Sequence, residues 1–183
     1  MQFNVSQLLR EPLGSRRVYR IEEPFRPDAA QQASVTVCGP AELLRTDRGI
    51  LVRAQLVSQA ETECSRCLRA VRYPIALEIE EEFLPTIDPV TGAALPASAE
   101  PGAFTIDGHH ILDLTDAARQ AWQLEQPMAA LCREDCPGLC PECGADRAAG
   151  RCGCEGTPID PRWAALATLR QRDGSSSETA EEE

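Results

Sequence analysis

The chain has 183 residues, enough for one ordinary domain with a small appendage, and at 43% hydrophobic with only 4% aromatic it must fill a core with Leu, Val, Ile and Ala. Its formal net charge is −11 and all 18 basic residues are arginines, which excludes an indiscriminate binder of phosphate backbones. No apolar run reaches the roughly 20 residues a membrane helix needs, and the opening lacks the basic and apolar stretches of a signal peptide, so a cytoplasmic location and no membrane partner are expected.

In chain order, Met1 to Pro12 reads as a short helix, with Asn4 or Ser6 as N-cap ahead of Leu8 and Leu9 and Pro12 closing it. Arg16 to Glu23 reads as extended. Two strands follow, Val35 to Leu44 and Ile50 to Val57, joined by the turn Thr46-Asp47-Arg48-Gly49, in which Gly49 supplies a positive φ. Cys38 reads as a small core residue. Beyond Cys64 and Cys67, alternation resumes with Ile75, Leu77 and Ile79 on one face and Ala76, Glu78 and Glu80 on the other. The acidic run from Glu78 to Glu82 reads as a solvated strand edge. Residues 85–102 hold four prolines and predict a mobile loop. A short strand is expected at Phe104 to Ile106. His109 and His110 read as ordinary turn or strand residues. The period then changes: Leu114, Ala117, Ala118, Ala121, Trp122 and Leu124 or Glu125 fit a helix with Asp113 as N-cap and Pro127 as stop. A last helix is expected at 158–172, with Asp160 at its N-cap and Pro161 at N1. Trp122 and Trp163 read as core residues. Residues 173–183 form an acidic tail of disordered composition.

The fold class expected is α+β: an antiparallel β-meander core with a few short helices and a C-terminal cysteine-rich zinc-binding module. The domain boundaries are 1–131 for the β-rich core, 132–157 for the zinc module, 158–172 for the last helix and 173–183 for the tail.

Six cysteines fall within the 24 residues from Leu131 to Cys154. A reducing compartment and an odd total of nine make a full disulfide framework a poor account of them. Structural zinc takes four tetrahedral thiolate or imidazole ligands, and C-x-x-C presents two of them from one tight turn. Cys140-Pro141-Glu142-Cys143 continues into Gly144, whose freedom lets backbone N–H groups point at the first sulfur. It pairs with Cys152 and Cys154, between which Gly153 permits a kink, as a first site. In Cys64-Ser65-Arg66-Cys67 the glycine position is taken by Leu68, so another geometry is expected there. Cys132 and Cys136, spaced i, i+4 as on one face of a helical turn, complete a second site with Cys64 and Cys67. Alternatively, Cys136 serves the local cluster. One or two Zn2+ ions are therefore the expected cofactor. All-thiolate sites are closed, whereas catalytic zinc keeps an open position. With no G-x-x-x-x-G-K-[ST], no nucleotide-binding G-x-G-x-x-G and no H-E-x-x-H in the chain, no enzymatic activity and no small-molecule substrate are expected.

The opening "NVSQLLREPLGSRRVY", the "CSRCL" corner and "CREDCPGLCPECGADRAAGRCGCEGTPIDPRWAAL" together resemble the bacterial YceD-like family, the large ribosomal RNA subunit accumulation proteins. The resemblance implies a role in the synthesis, processing or accumulation of 23S ribosomal RNA, with that RNA or a ribosome-assembly protein as partner and no DNA. It directs attention to Cys64, Cys67 and Arg66. A direct RNA contact requires a local arginine patch, for which Arg16, Arg17, Arg66, Arg69 and Arg72 are candidates. Two other readings compete: an acidic adaptor recruiting a basic ribosomal protein or an RNA-processing enzyme, and a zinc-thiolate redox sensor.

Overall fold

The computed structural model of the chain describes residues 1–27, 34–96, 101–150, 152–154 and 162–163. Two units can be distinguished, Met1–Cys132 and Arg133–Glu183. The first is built on one seven-stranded sheet made from β1 (Gln2–Asn4), β2 (Arg16–Phe25), β3 (Val35–Arg45), β4 (Ile50–Glu63), β5 (Ala70–Pro85), β6 (Phe104–Ile106) and β7 (Ile111–Asp113), with one helix, α1 (Thr115–Leu124). The spatial order is β1-β7-β6-β5-β4-β3-β2. Every neighbouring pair is antiparallel except β5 and β6. The structure is thus mostly β-sheet.

Period-two alternation builds the central strands. On β4 the inward residues Ile50, Val52, Ala54, Leu56 and Ala60 are all buried, and on β5 so are Ile75, Leu77, Ile79 and Phe83. Each large apolar side chain buried in this way contributes roughly 1.5–3 kcal/mol. The meander read from the sequence is present and longer than expected, because β4 runs on to Glu63 and β5 starts at Ala70, paired Glu63 to Ala70 at their tip. The sheet curls until its two edges meet through side chains: Phe3 on β1 lies against Tyr19 on β2, ring centroids 4.9 Å apart, and the Met1 amine sits 3.5 Å from Glu23. The core therefore lies inside a curled sheet. Helix α1 covers part of it, with Trp122 against Phe25 at 5.8 Å. Among the described residues no helix is long and apolar enough to cross a membrane.

Several expectations are corrected. The opening segment is not a single helix: Gln2–Asn4 pairs with Ile111–Asp113 as strands, and only Leu8–Arg10 makes a 3-10 turn. Cys38 faces outward, half-buried, because the β3 residues that point inward are Val37, Ala41 and Leu43. Gly49 is not among the glycines with positive φ. It is needed for space instead, since a Cβ there would land on the Phe83 carbonyl oxygen. The cap position of α1 is Leu114, while the Asp113 carboxylate accepts the Thr115 N–H at 2.9 Å. Trp163 is 59% exposed, so it does not belong to the core. Within the proline-rich stretch the Ile87–Ala94 bridge forms and the Asp88 carboxylate accepts the Val90 and Thr91 N–H groups, while residues 97–100 lie outside the described residues. The expected helix at 158–172 and the acidic tail lie almost wholly outside the described residues.

On the outer face, charges pair across strands. Arg53 meets Glu80 at 2.8 Å, Arg16 meets Glu42 at 3.4 Å, Arg72 meets Glu61 at 2.9 Å, and Glu82 accepts the Thr46 hydroxyl at 2.8 Å. Such exposed pairs contribute little, because water and salt screen them. Arg53→Ala is expected to change unfolding free energy by no more than about 0.5 kcal/mol, read from the urea midpoint at constant m-value.

Candidate metal centre

The nine cysteines are free thiols. Eight gather into two sets of four, Cys64, Cys67, Cys132 and Cys136, and Cys140, Cys143, Cys152 and Cys154, with all sulfurs in a set within 4.8 Å of one another. A tetrahedral ion at about 2.3 Å from each thiolate places the sulfurs about 3.8 Å apart, and Cys67 Sγ lies 3.6 Å from Cys132 Sγ. That separation is far beyond a disulfide bond of about 2.05 Å. The donor sets are all sulfur, which suits a soft or borderline ion held without an open position. Each set can hold a metal ion.

The two C-x-x-C turns share one geometry. Cys64 N–H donates to the Arg69 carbonyl at 2.8 Å and Leu68 N–H to the Cys64 carbonyl at 2.9 Å. In the other turn Cys140 N–H donates to the Ala145 carbonyl at 2.8 Å and Gly144 N–H to the Cys140 carbonyl at 2.9 Å. Both six-residue loops are flanked by an antiparallel pair, Glu63 with Ala70 in one and Leu139 with Asp146 in the other. Both also require a left-handed residue at the same place, φ 70° at Gly144 and φ 60° at Leu68. The expectation of a different geometry at the first turn is therefore overturned: Leu68 adopts the glycine conformation. A leucine there costs about 1–2 kcal/mol, since its Cβ crowds the backbone carbonyl, and the hydrogen-bonded loop imposes it.

Backbone donors converge on the first sulfur of each turn. The Cys64 thiol is pulled down to about 6, chiefly by the Cys132 N–H and then by those of Arg66 and Cys67. The Cys140 thiol is likewise lowered to about 6 by the N–H groups of Cys143 and Glu142 and by the Cys152 thiol. Cys67 is lowered by the Arg69 N–H, with the Arg69 side chain also donating to it. Conversely, Cys154 is raised to about 12, chiefly by Cys143, because adjacent sulfurs cannot all be anionic without a cation among them. The fold itself thus stabilises the thiolates of Cys64 and Cys67 in the first set and of Cys140 in the second, suitable first ligands for a metal.

Local elements position the ligands. Cys64 and Cys67 are buried at the tip of the β4–β5 hairpin, and the Ser65 N–H donates to the Ala130 carbonyl at 2.8 Å, drawing the chain that leads to Cys132 against that tip. Cys136 is delivered by a turn closed by its N–H on the Arg133 carbonyl at 3.1 Å, not by the helical turn expected from i, i+4 spacing. Cys136 stands with Cys64, Cys67 and Cys132, not with the local set. In the second set the chain bends at Gly153 between Cys152 and Cys154. Among the described residues 133–154 the buried positions are Cys136, Gly138 and Cys140, so this segment has no apolar core of its own. The sequence missed the left-handed Leu68 and the Cys132 N–H donor. The Gly144 of the twin turn was the available signal for the former.

The five candidate arginines are not brought together. Arg16 pairs in register with Leu44, Leu44 with Leu51, and Leu51 with Glu82. Arg72 lies ten residues back along β5 from Glu82, roughly 33 Å at about 3.3 Å per residue. Arg16 and Arg17 therefore sit at the opposite end of the sheet from Arg66, Arg69 and Arg72. Arg17 is bound to Glu11 at 2.6 Å, which raises its pKa.

Residues 52–170 match the family model described as large ribosomal RNA subunit accumulation protein YceD. An uncharacterized protein of Mycobacterium tuberculosis (strain ATCC 25618 / H37Rv) is 32% identical over 168 residues, covering 79% of this chain and 76% of that protein. An uncharacterized protein of Mycobacterium leprae is 31% identical over 137 residues, covering 70% of this chain and 60% of that protein. No solved structure matches the chain. The curled sheet with its paired cysteine turns is thus the fold of a chain that belongs to the YceD family of large ribosomal RNA subunit accumulation proteins.

Proposed function

We propose that the protein is a non-enzymatic ribosome-biogenesis factor of the cytoplasm that supports accumulation of 23S ribosomal RNA and holds two structural Zn2+ ions. The observation that carries the metal assignment is the pair of all-thiol sets, each with its sulfurs within 4.8 Å of one another. Four sulfur donors leave no position for a substrate or an activated water, so the ions shape the chain and perform no chemistry. The role in ribosomal RNA accumulation rests on family membership.

The mode of action that fits the surface best is contact with a ribosome-assembly protein, not with naked RNA. The chain carries a net charge of −11. Its arginines at 16, 17 and 72 are paired with carboxylates, and the five candidates are divided between two ends of the sheet. Affinity for phosphates needs concentrated, available cations. Of the acidic run from Glu78 to Glu82, Glu80 and Glu82 are compensated by Arg53, Thr46 and Arg48.

Depletion in the native host is expected to lower mature 23S relative to 16S ribosomal RNA, with precursors accumulating. An unchanged ratio would remove the functional reading. Protein purified from that host without chelators is expected to carry two zinc ions per chain by native mass spectrometry. Cys67→Ser is expected to carry one, since a serine hydroxyl does not ionise to replace the thiolate, and to fail to restore 23S levels.

A further inference from the structure

On the outer face of the sheet, register arranges the side chains of β2 to β5 in rows, because alternate residues of each strand point the same way. Arg20 pairs with Pro40 and Gln55 with Glu78, and Pro40 stands opposite Gln55 by the equal count between the Cys38–Val57 and Ala41–Ala54 pairs. One row therefore runs Arg20, Pro40, Gln55, Glu78, and its two charges are three strands apart, about 14 Å at about 4.8 Å per strand. Both are exposed, and among the described residues neither has an ion-pair partner. Apolar side chains lie around them: Val18 is 71% exposed and Val57 53%, with Cys38 half-buried beside Val57. The face is not simply convex, since a depression of about 600 Å³ opens between Cys38, Val57, Pro74 and Ala76.

We infer that this outer face is a docking surface for a second copy of the chain, related by a two-fold axis parallel to the strands and midway between β3 and β4. Such an axis lays β2 on β5 of the second copy and β3 on its β4. Rotation about the strand direction leaves position along the strands unchanged, so each row meets itself reversed. Arg20 then faces Glu78 of the second copy, and Glu78 faces its Arg20. Glu42 and Arg53 meet in the same way, as do Arg16 and Glu82, while Cys38 meets Val57 and Leu44 meets Leu51. The remaining ends of these four rows oppose Val18 to Glu80 and Glu22 to Ala76, so no like charges face each other. A two-fold axis across the strands along the Arg20 row would instead set Arg20 on Arg20 and Glu78 on Glu78. The four rows carry a net charge of −2, from three arginines and five glutamates. Charges are screened beyond about 8 Å at physiological salt, so the opposed neighbours outweigh that sum. Four strands by nine residues project about 19 by 30 Å, roughly 1,100 Å² over both copies, just above the roughly 1,000 Å² a specific interface must clear. A reversible dimer follows, not an obligate one.

The test is sedimentation equilibrium of the full chain across a concentration series. Wild type is expected to dimerise reversibly by about 100 μM, as suits an interface of this size. Arg20→Glu and Glu78→Arg each reverse two symmetry-related contacts, and each is expected to weaken the dimer at least tenfold while the thermal midpoint of the dilute chain is retained. The double variant Arg20→Glu, Glu78→Arg is expected to recover dimerisation to within about threefold of wild type. Recovery is the decisive result, because within one chain the two groups stand too far apart to compensate each other. A chain that stays monomeric at that concentration, whether or not the same face retains a ribosomal protein or RNA, would overturn the inference. So would a dimer indifferent to the single reversals, or losses that the double variant does not recover. The dimer is independent of the role in ribosomal RNA accumulation, and unchanged 23S levels on depletion would leave it standing.

Discussion

Cys140→Ser is expected to leave one zinc ion per chain and to unfold the segment around the second cysteine set. Among the described residues 133–154, only Cys136, Gly138 and Cys140 are buried, so no hydrophobic core survives when the ion is lost. A structural zinc site supplies on the order of 10 kcal/mol of folding free energy in small metal-dependent folds, and here little else opposes the chain entropy of the segment. The sheet has its own core, from Val5 to Trp122, and is expected to keep its hydrogen-exchange protection. The check is exchange mass spectrometry on the variant and on chelator-treated wild type, which should lose protection over that segment and, having lost both ions, around Cys64, Cys67, Cys132 and Cys136 as well. Full protection of residues 140–154 in the variant would show that the segment holds itself without metal.

The second large effect is expected at Gly39, where β3 passes close to β4. A Cβ at this position would land on the Gln55 carbonyl oxygen, with the Gln55 carbonyl carbon and the Leu56 Cα behind it. The obstacle is backbone on a strand whose inward residues Ala54 and Leu56 are buried, so it cannot swing aside as a side chain would. Gly39→Ala must therefore spread β3 from β4 or break the ladder between Cys38 and Ala41, whose partners are Val57 and Ala54. A cost of about 3 kcal/mol is expected, which in a chain of this size lowers the thermal midpoint by roughly 6–12 °C. Gly14→Ala serves as the control, since nothing lies within 4 Å of its Cβ direction, although its φ of 85° carries a smaller backbone cost.

The parts of the fold legible in the sequence were those set by local pattern. Ile75, Leu77 and Ile79 announce a strand with one buried face whatever it pairs with, and C-x-x-C announces a two-sulfur turn. What escaped depends on partners far along the chain. Gln2–Asn4 is a strand only because Ile111–Asp113 lies beside it, and neither three-residue segment carries a pattern of its own. Cys38 was misplaced because both faces of β3 are part apolar, leaving its inward side to be decided by β4. At Leu68 the amino-acid type argued against the conformation found, and a loop of fixed hydrogen bonds prevailed over the preference of one residue. The arginines show the same limit, since only register reveals that Arg16 and Arg72 stand at opposite ends.

The pairing of Gln2 with Asp113 also sets a timetable for biosynthesis. Gln2–Asn4 is synthesised more than a hundred residues ahead of its partner, roughly 5 to 20 s at elongation rates of about 5–20 residues per second. During that interval Met1 and Phe3 are exposed, and the nascent sheet has no closing edge. Elongation pauses upstream of residue 113 would lengthen the window in which chaperones or a neighbouring nascent chain could engage this terminus.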